Sequence, residues 1–115
     1  MPRSTRKYGN VKSVLDGITF DSNAERDRYL ELRNLARTGV IYALEVHPRY
    51  QLEPGFRDPR GKKWPAVHYS PDFHYVIGGQ MIAEDVKGVE TAVFRLKWRI
   101  AVARYPATEF RIIKA

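Results

Sequence analysis

The sequence predicts an α/β fold with the order α-β-β-β-α-β, a mixed sheet flanked by helices. Three observations predict it. Two segments carry apolar residues at helical spacing, three strand-like runs lie between them, and one more run follows the second helix. That last run returns across a helix, so it can lie parallel to a neighbour in the same sheet. A chain of 115 residues suffices for one hydrophobic core and is too short for two.

Residues 1–10, MPRSTRKYGN, read as a flexible basic arm, and residues 11–115 as a single domain. VKSVLDGITF (11–20) alternates weakly around Asp16-Gly17, a two-residue hairpin turn. Ser22 is a candidate N-cap for a helix over about 23–38, where Ala24, Tyr29, Leu32, Leu35 and Ala36 recur at helical spacing and Gly39 supplies the C-terminal stop. Residues 40–53 read as a strand with a break at Pro48, and 54–65 as a loop. AVHYSPDFHYVI (66–77) reads as one strand, joined through Gly78-Gly79 to QMIAEDVK (80–87). A second helix is expected over 90–105 with Val93, Leu96, Ile100 and Ala103 on one face, and a final strand over 109–114.

The formal charge of +7 and a pI near 9.9 favour a polyanionic partner, of which nucleic acid is the commonest. No apolar run reaches the length of a membrane span, and the polar N-terminus is unlike a secretion signal, so an intracellular, cytoplasmic protein is expected. The absence of cysteine excludes disulfides and thiolate metal sites.

Carboxylates in the hairpin 66–87 break the strand pattern. Asp is a poor strand former, yet Asp72 lies in the first strand and Asp85 near the end of the second, with Glu84 beside it. In the simple register Asp72 lies near Asp85. Two adjacent carboxylates repel unless a cation sits between them, and a hard divalent ion such as Mg²⁺ suits them. Alternation puts Lys87 on the face of Asp85, where its ammonium can hold a water or neutralise a phosphate. The same alternation turns Glu84 away, unless a β-bulge swings it inward. His68, Ser70 and His74 share the parity of Asp72 and are candidate phosphate or proton-transfer groups. Glu25 completes a capping box with Ser22, but it also lies on the buried stripe of Tyr29 and Leu32, where a carboxylate needs a partner.

Pro71-Asp72, then twelve residues, then Asp85-Val86-Lys87 resembles the signature of the PD-(D/E)xK nuclease superfamily. FDSNAERDRYLEL resembles that superfamily's first helix, and YGNVKSVLDGITFDSNAE with PDFHY and EDVKG is similar to small phage-encoded nucleases grouped with Holliday-junction resolvases. The resemblance covers residues 8–114. It implies a restriction-endonuclease-like core and a Mg²⁺-dependent endonuclease, with Mn²⁺ able to substitute. It implies Asp72, Asp85 and the Val86 carbonyl as metal ligands, with Glu25 completing the acidic cluster and Lys87 positioning the attacking water. The second acid of that family is more often Glu, where this chain has Asp85. The implied substrate is branched DNA, chiefly the four-way junction, cut by a homodimer; duplex nicking and a non-catalytic DNA-binding role are the alternatives. Arg3, Arg6 and Lys7 in the arm, Arg57, Arg60, Lys62 and Lys63 in the loop, Ser70, and Arg95 and Lys97 in the second helix are candidate DNA contacts. Trp64 and Tyr69 carry rings on which bases can stack, although core packing is the expected role of both.

Overall fold

A computed structural model describes residues 12–115; the basic arm and its Arg3, Arg6 and Lys7 lie outside the described residues. β1 (Ser13–Leu15) and β2 (Ile18–Phe20) form the expected hairpin. Its two turn residues, Asp16 and Gly17, both have positive φ, +54° and +75°, which matches the twist of the flanking strands. α1 (Asn23–Arg37) starts at Ser22, whose side chain accepts the Glu25 N–H. It stops before Gly39, at φ +81°.

β3 (Tyr42–Val46), β8 (Phe73–Ile77), β9 (Gln80–Lys87) and β10 (Thr108–Lys114) make one mixed sheet in the order β10-β9-β8-β3. β3, β8 and β9 are antiparallel neighbours, and β10 runs parallel to β9 after crossing back over α2 (Ala92–Arg104). The molecule is therefore a mixed α/β fold with two helices on a mixed sheet. Gly78 and Gly79 take the left-handed conformations, +54° and +80°, that a two-residue turn between β8 and β9 demands.

The break expected at Pro48 divides 40–53 into two strands, β3 and β4 (Tyr50–Glu53), because His47 at φ +54° and Pro48 turn the chain out of the sheet. Two expected segments differ. The strand expected over 66–77 is likewise two, β7 (Val67–Tyr69) and β8, separated by Ser70-Pro71-Asp72. Proline has no N–H to offer a ladder, and β7 pairs instead with β4 in a separate two-stranded sheet. His68 and Ser70 therefore do not share a strand face with Asp72. The loop expected over 54–65 contains a further ribbon, β5 (Phe56–Arg57) with β6 (Lys63–Trp64).

Two cores form, one on each face of the sheet. Phe20, Tyr29, Leu32, Ile41, Phe73, Tyr75 and Ile82 pack under α1. Leu52, Tyr69, Phe94 and Ala101, with Trp98, Phe110 and Ile112, pack under α2. The buried face of α2 is a correction: Val93 and Leu96, expected inside, are 65% and 60% exposed, and Ala103 is exposed too. Phe94, Trp98 and Ala101 face inward instead. Aromatic side chains bury more area than Val or Leu, and Trp98 meets Tyr69 and Phe110 edge-on.

Candidate active site

The regular β8–β9 register pairs Phe73 with Glu84, so the next step places Asp72 across from Asp85. The Asp72 N–H donates to the Glu84 carbonyl at 2.9 Å. Asp85 and Lys87 share one face of β9 with Ala83, and Phe110 and Ile112 of β10 carry that face on towards α2. Glu84 projects from the other face into the α1 core. It is fully buried there and accepts from Arg28 Nε and Nη2 at 2.8 and 2.6 Å and from the Tyr75 hydroxyl. No bulge interrupts β9, so Asp85 is the acid beside Asp72.

Each acid is held by a separate element. Asp72 Oδ2 accepts the Val86 N–H at 2.7 Å. A residue's N–H and C=O leave an extended strand on the same side, so the Val86 carbonyl also faces the edge that holds Asp72. Asp85 Oδ2 accepts the Tyr69 hydroxyl at 2.5 Å, and its Oδ1 lies 3.7 Å from Lys87 Nζ. The Lys87 ammonium lies 4.7 Å from the centroid of the Phe94 ring, a cation–π contact that limits its swing. Glu25, 4% exposed, enters from the first turn of α1. Its Oε1 accepts the Asp21 N–H and its Oε2 lies 2.9 Å from His47 Nε2. The capping box is thus half present: Ser22 caps Glu25, but the Glu25 carboxylate reaches Asp21 and the cleft rather than the Ser22 N–H.

His47 was not among the expected site residues. Its N–H donates to the Asp72 carbonyl at 2.8 Å, and its ring joins Glu25 and Asp72 in a cluster whose ligand atoms lie within 4.8 Å of one another. Nothing in local alternation marks it; its place depends on the turn at Pro48. Arg49 and Tyr69 are further cleft residues that sequence reasoning did not assign to the site.

Two adjoining cavities of about 460 and 490 Å³ share Asp21, Asp72, Asp85 and Lys87. The first extends to Glu25 and Val86, the second to His47, His68, Ser70 and Lys97. The Ser70 hydroxyl donates to the Pro48 carbonyl, so it ties the cleft wall together. His74 bonds Tyr50 and lines neither cavity. Arg95 also stays outside, donating to the Glu90 carbonyl. Arg57, Arg60, Lys62 and Lys63 sit on the β5–β6 ribbon and not in the cleft wall.

The electrostatics are those of crowded acids. Burial pushes the Asp72 carboxyl up to about 8, against the Val86 N–H and with the help of Asp85 and Glu25. Burial also raises Asp85, although Tyr69 and Lys87 pull it down. The Tyr69 phenol is raised by burial and by the neighbouring Asp85, so it stays a donor. Three carboxylates with one nearby ammonium form a hard-oxygen donor set that a divalent cation fits, because its charge offsets the burial and the repulsion that otherwise keep a proton on Asp72.

No helix among the described residues is long and apolar enough to cross a membrane. No curated protein and no solved structure matches the chain. Residues 5–115 match the family described as "Protein of unknown function (DUF1064)", and the chain belongs to that family.

Proposed function

We propose that the protein is a Mg²⁺-dependent, structure-selective DNA endonuclease built on a restriction-endonuclease-like core, acting on four-way junctions as a homodimer. One observation carries the reading: Glu25 from a helix, Asp72 from the bend before β8 and Asp85 from β9 converge on one cleft, with Lys87 one pleat from Asp85. The α-β-β-β-α-β order of the central elements and the +7 charge support it.

Asp72, Asp85, the Val86 carbonyl and Glu25 would hold the cation. Bound there, Mg²⁺ supplies charge neutralisation at the scissile phosphate and makes water more acidic. The chain's own groups do the rest. The Val86 N–H and the Tyr69 hydroxyl fix the two aspartates, and His47 fixes Glu25, so the acids need little rearrangement. Lys87 orients the attacking water and faces the charge that builds on phosphorus. The water loses a proton to solvent as its oxygen bonds phosphorus and the bond to the 3′ oxygen breaks, and the 3′ oxygen takes a proton from solvent, leaving a 5′-phosphate and a 3′-hydroxyl. Arg49 and Lys97 flank the second cavity, where they can pair with phosphates on either side of the cut. Symmetric cutting of a four-way junction needs two such sites, which a two-fold dimer provides.

The test incubates the protein with junction, flap, single-stranded and duplex DNA, each with Mg²⁺ and with EDTA. Mg²⁺-dependent cleavage strongest on the junction, and absent from Asp72→Asn, is the expected result. Cleavage of linear duplex alone would make the protein a nicking or restriction-like enzyme. Binding without cleavage in any arm would make it a DNA-binding module.

A further inference from the structure

The β4–β7 pair and the β5–β6 ribbon are two stretches of one long arm. Its base, through Arg49, His68 and Ser70, lines the cleft. Towards its tip the arm leaves the body, and residues 55–57 and 59–65 are all exposed. Phe56 pairs across the ribbon with Trp64, the two rings stacked at 6.3 Å and 16°. They are 57% and 42% exposed, whereas Tyr69 at the arm's base is buried. A hydrophobic core gains nothing from two exposed aromatic rings, so their position on a projecting ribbon needs another account.

The surroundings of the pair are ordered and basic. The Trp64 indole N–H donates to Asp58 Oδ2 at 3.0 Å, and Asp58 Oδ1 accepts the N–H groups of Arg60 and Lys62. Gly55 lets the chain close, since a Cβ there would meet the Trp64 carbonyl at 3.0 Å. Lys62 Nζ lies 4.3 Å from the centroid of the Trp64 ring. Arg57, Arg60 and Lys63 add three more exposed cations against the single acid Asp58. The indole's one polar atom is satisfied within the ribbon, so what it offers outward is ring surface with a mobile ammonium over it. That combination fits a nucleotide, with its base on the ring and its phosphate on the cation. An apolar protein partner would gain nothing from the Lys62 ammonium on that ring.

We infer that the β5–β6 ribbon is a stacking wedge, a site that takes a nucleobase lacking a stacking neighbour in its own strand. The inference rests on the DNA reading above and deepens it, because it names what distinguishes the substrate: an interruption of base stacking, as at a branch point, rather than a sequence. The arm also sets a distance. Trp64 lies five steps before Tyr69 in the chain, a reach of at most about 17 Å, or about five nucleotide steps along one strand. Cutting is therefore expected within about five nucleotides of the interruption.

The experiment measures binding in EDTA, so that cleavage plays no part, by anisotropy of labelled DNA. The probes are an intact duplex, the same duplex with a two-nucleotide bulge, and a four-way junction. The wild type is expected to bind the two interrupted DNAs roughly tenfold or more tightly than the duplex. Phe56→Ala/Trp64→Ala is expected to abolish that preference and to leave duplex affinity within about threefold, since the phosphate contacts remain. Trp64→Phe keeps a ring and should retain most of the preference, while Trp64→Leu keeps apolar bulk and should lose it; this pair guards against a ribbon that merely collapses. Unchanged preference in the double variant, or equal rescue by Leu and Phe, would overturn the wedge while leaving the nuclease reading intact. A wedge-dependent preference in a protein that never cleaves would uphold the inference and refute the nuclease reading. Failure to bind any of the three DNAs, with self-association lost in the double variant, would overturn both and make the ribbon a protein contact.

Discussion

At the residue scale, Asp72 has the sharpest consequence. Its carboxyl stays protonated to about pH 8 in the fold, against about 4 in an unfolded chain. Between those values the folded state holds a proton that the unfolded state has released, so stability falls as pH rises from about 4 to about 8. On the proposed metal site, a divalent cation would replace that proton. Calorimetry should therefore show Mg²⁺ or Mn²⁺ raising Tm at pH 8 and having little effect at pH 5. Asp72→Asn should flatten the decline with pH and remove the metal's effect. A metal-induced rise in Tm at pH 8 that survives in Asp72→Asn would place the cation elsewhere. Lys87 has a different signature. It touches Asp85 and the Phe94 ring, and on the nuclease proposal its worth lies in the transition state rather than in DNA affinity. Lys87→Ala should lower single-turnover cleavage at saturating protein by roughly a hundredfold or more, with the dissociation constant nearly unchanged. Lys87→Arg should not restore it, because a planar fork cannot replace a compact charge. Recovery of the rate at high protein would reduce Lys87 to a phosphate contact.

At the scale of elements, the question is what holds α1 against the sheet so that Glu25 reaches Asp72. Arg28 lies one turn along α1 from Glu25, and Glu84 is the neighbour of Asp85 on β9. The two-pronged Arg28–Glu84 ion pair, with Tyr75 on the same carboxylate, fastens the helix to the strand on the face opposite the cleft. Removing one partner strands the other charge in a buried setting. Arg28→Met should cost about 3–5 kcal/mol in denaturant unfolding, and Glu84→Gln should also destabilise. Replacing both, as Arg28→Met/Glu84→Leu, should recover much of the loss, since an apolar pair leaves no charge behind. Additive losses in the double variant would mean that the two groups are not coupled. The β8–β9 hairpin, by contrast, is specified locally. A Gly-Gly turn and alternation with period two admit one register, and a slip of one residue would expose Phe73 and Tyr75.

Across the whole molecule, the two faces of the sheet have separate tasks. One carries the α1 core and the ion pair; the other carries the α2 core, Asp85 and Lys87, and Glu25 reaches the same cleft from the start of α1. Cations lie both in the cleft, at Arg49, Lys87 and Lys97, and on the projecting ribbon, at Arg57, Arg60, Lys62 and Lys63. Affinity for junction DNA should fall linearly on a log–log plot against salt concentration. Arg57→Ala/Arg60→Ala/Lys63→Ala should reduce the slope by about one for each phosphate that these side chains neutralise in the wild type. An unchanged slope would remove the ribbon from the DNA path.

The sequence by itself determined what depends on neighbours in the chain. The helix start at Ser22, the Asp16-Gly17 and Gly78-Gly79 turns, and the facing of Asp72 and Asp85 all follow from short-range sterics, capping and strand alternation. It also supplied the opposed parity of Glu84 and Asp85, because no bulge intervenes. Tertiary structure alone decided the rest. His47 enters the site from 22 residues away, and Arg28 finds Glu84 across 56. Alternation continued unbroken through Ser70-Pro71-Asp72, yet the chain changes sheets there, since β7 can complete its hydrogen bonds only with β4. The face of α2 was settled by which side chains fill the space against Tyr69 and Phe110, and Phe94 with Trp98 fill it better than Val93 with Leu96. Periodicity shows that a helix has an apolar face; when two stripes compete, burial against a partner distant in the chain decides between them.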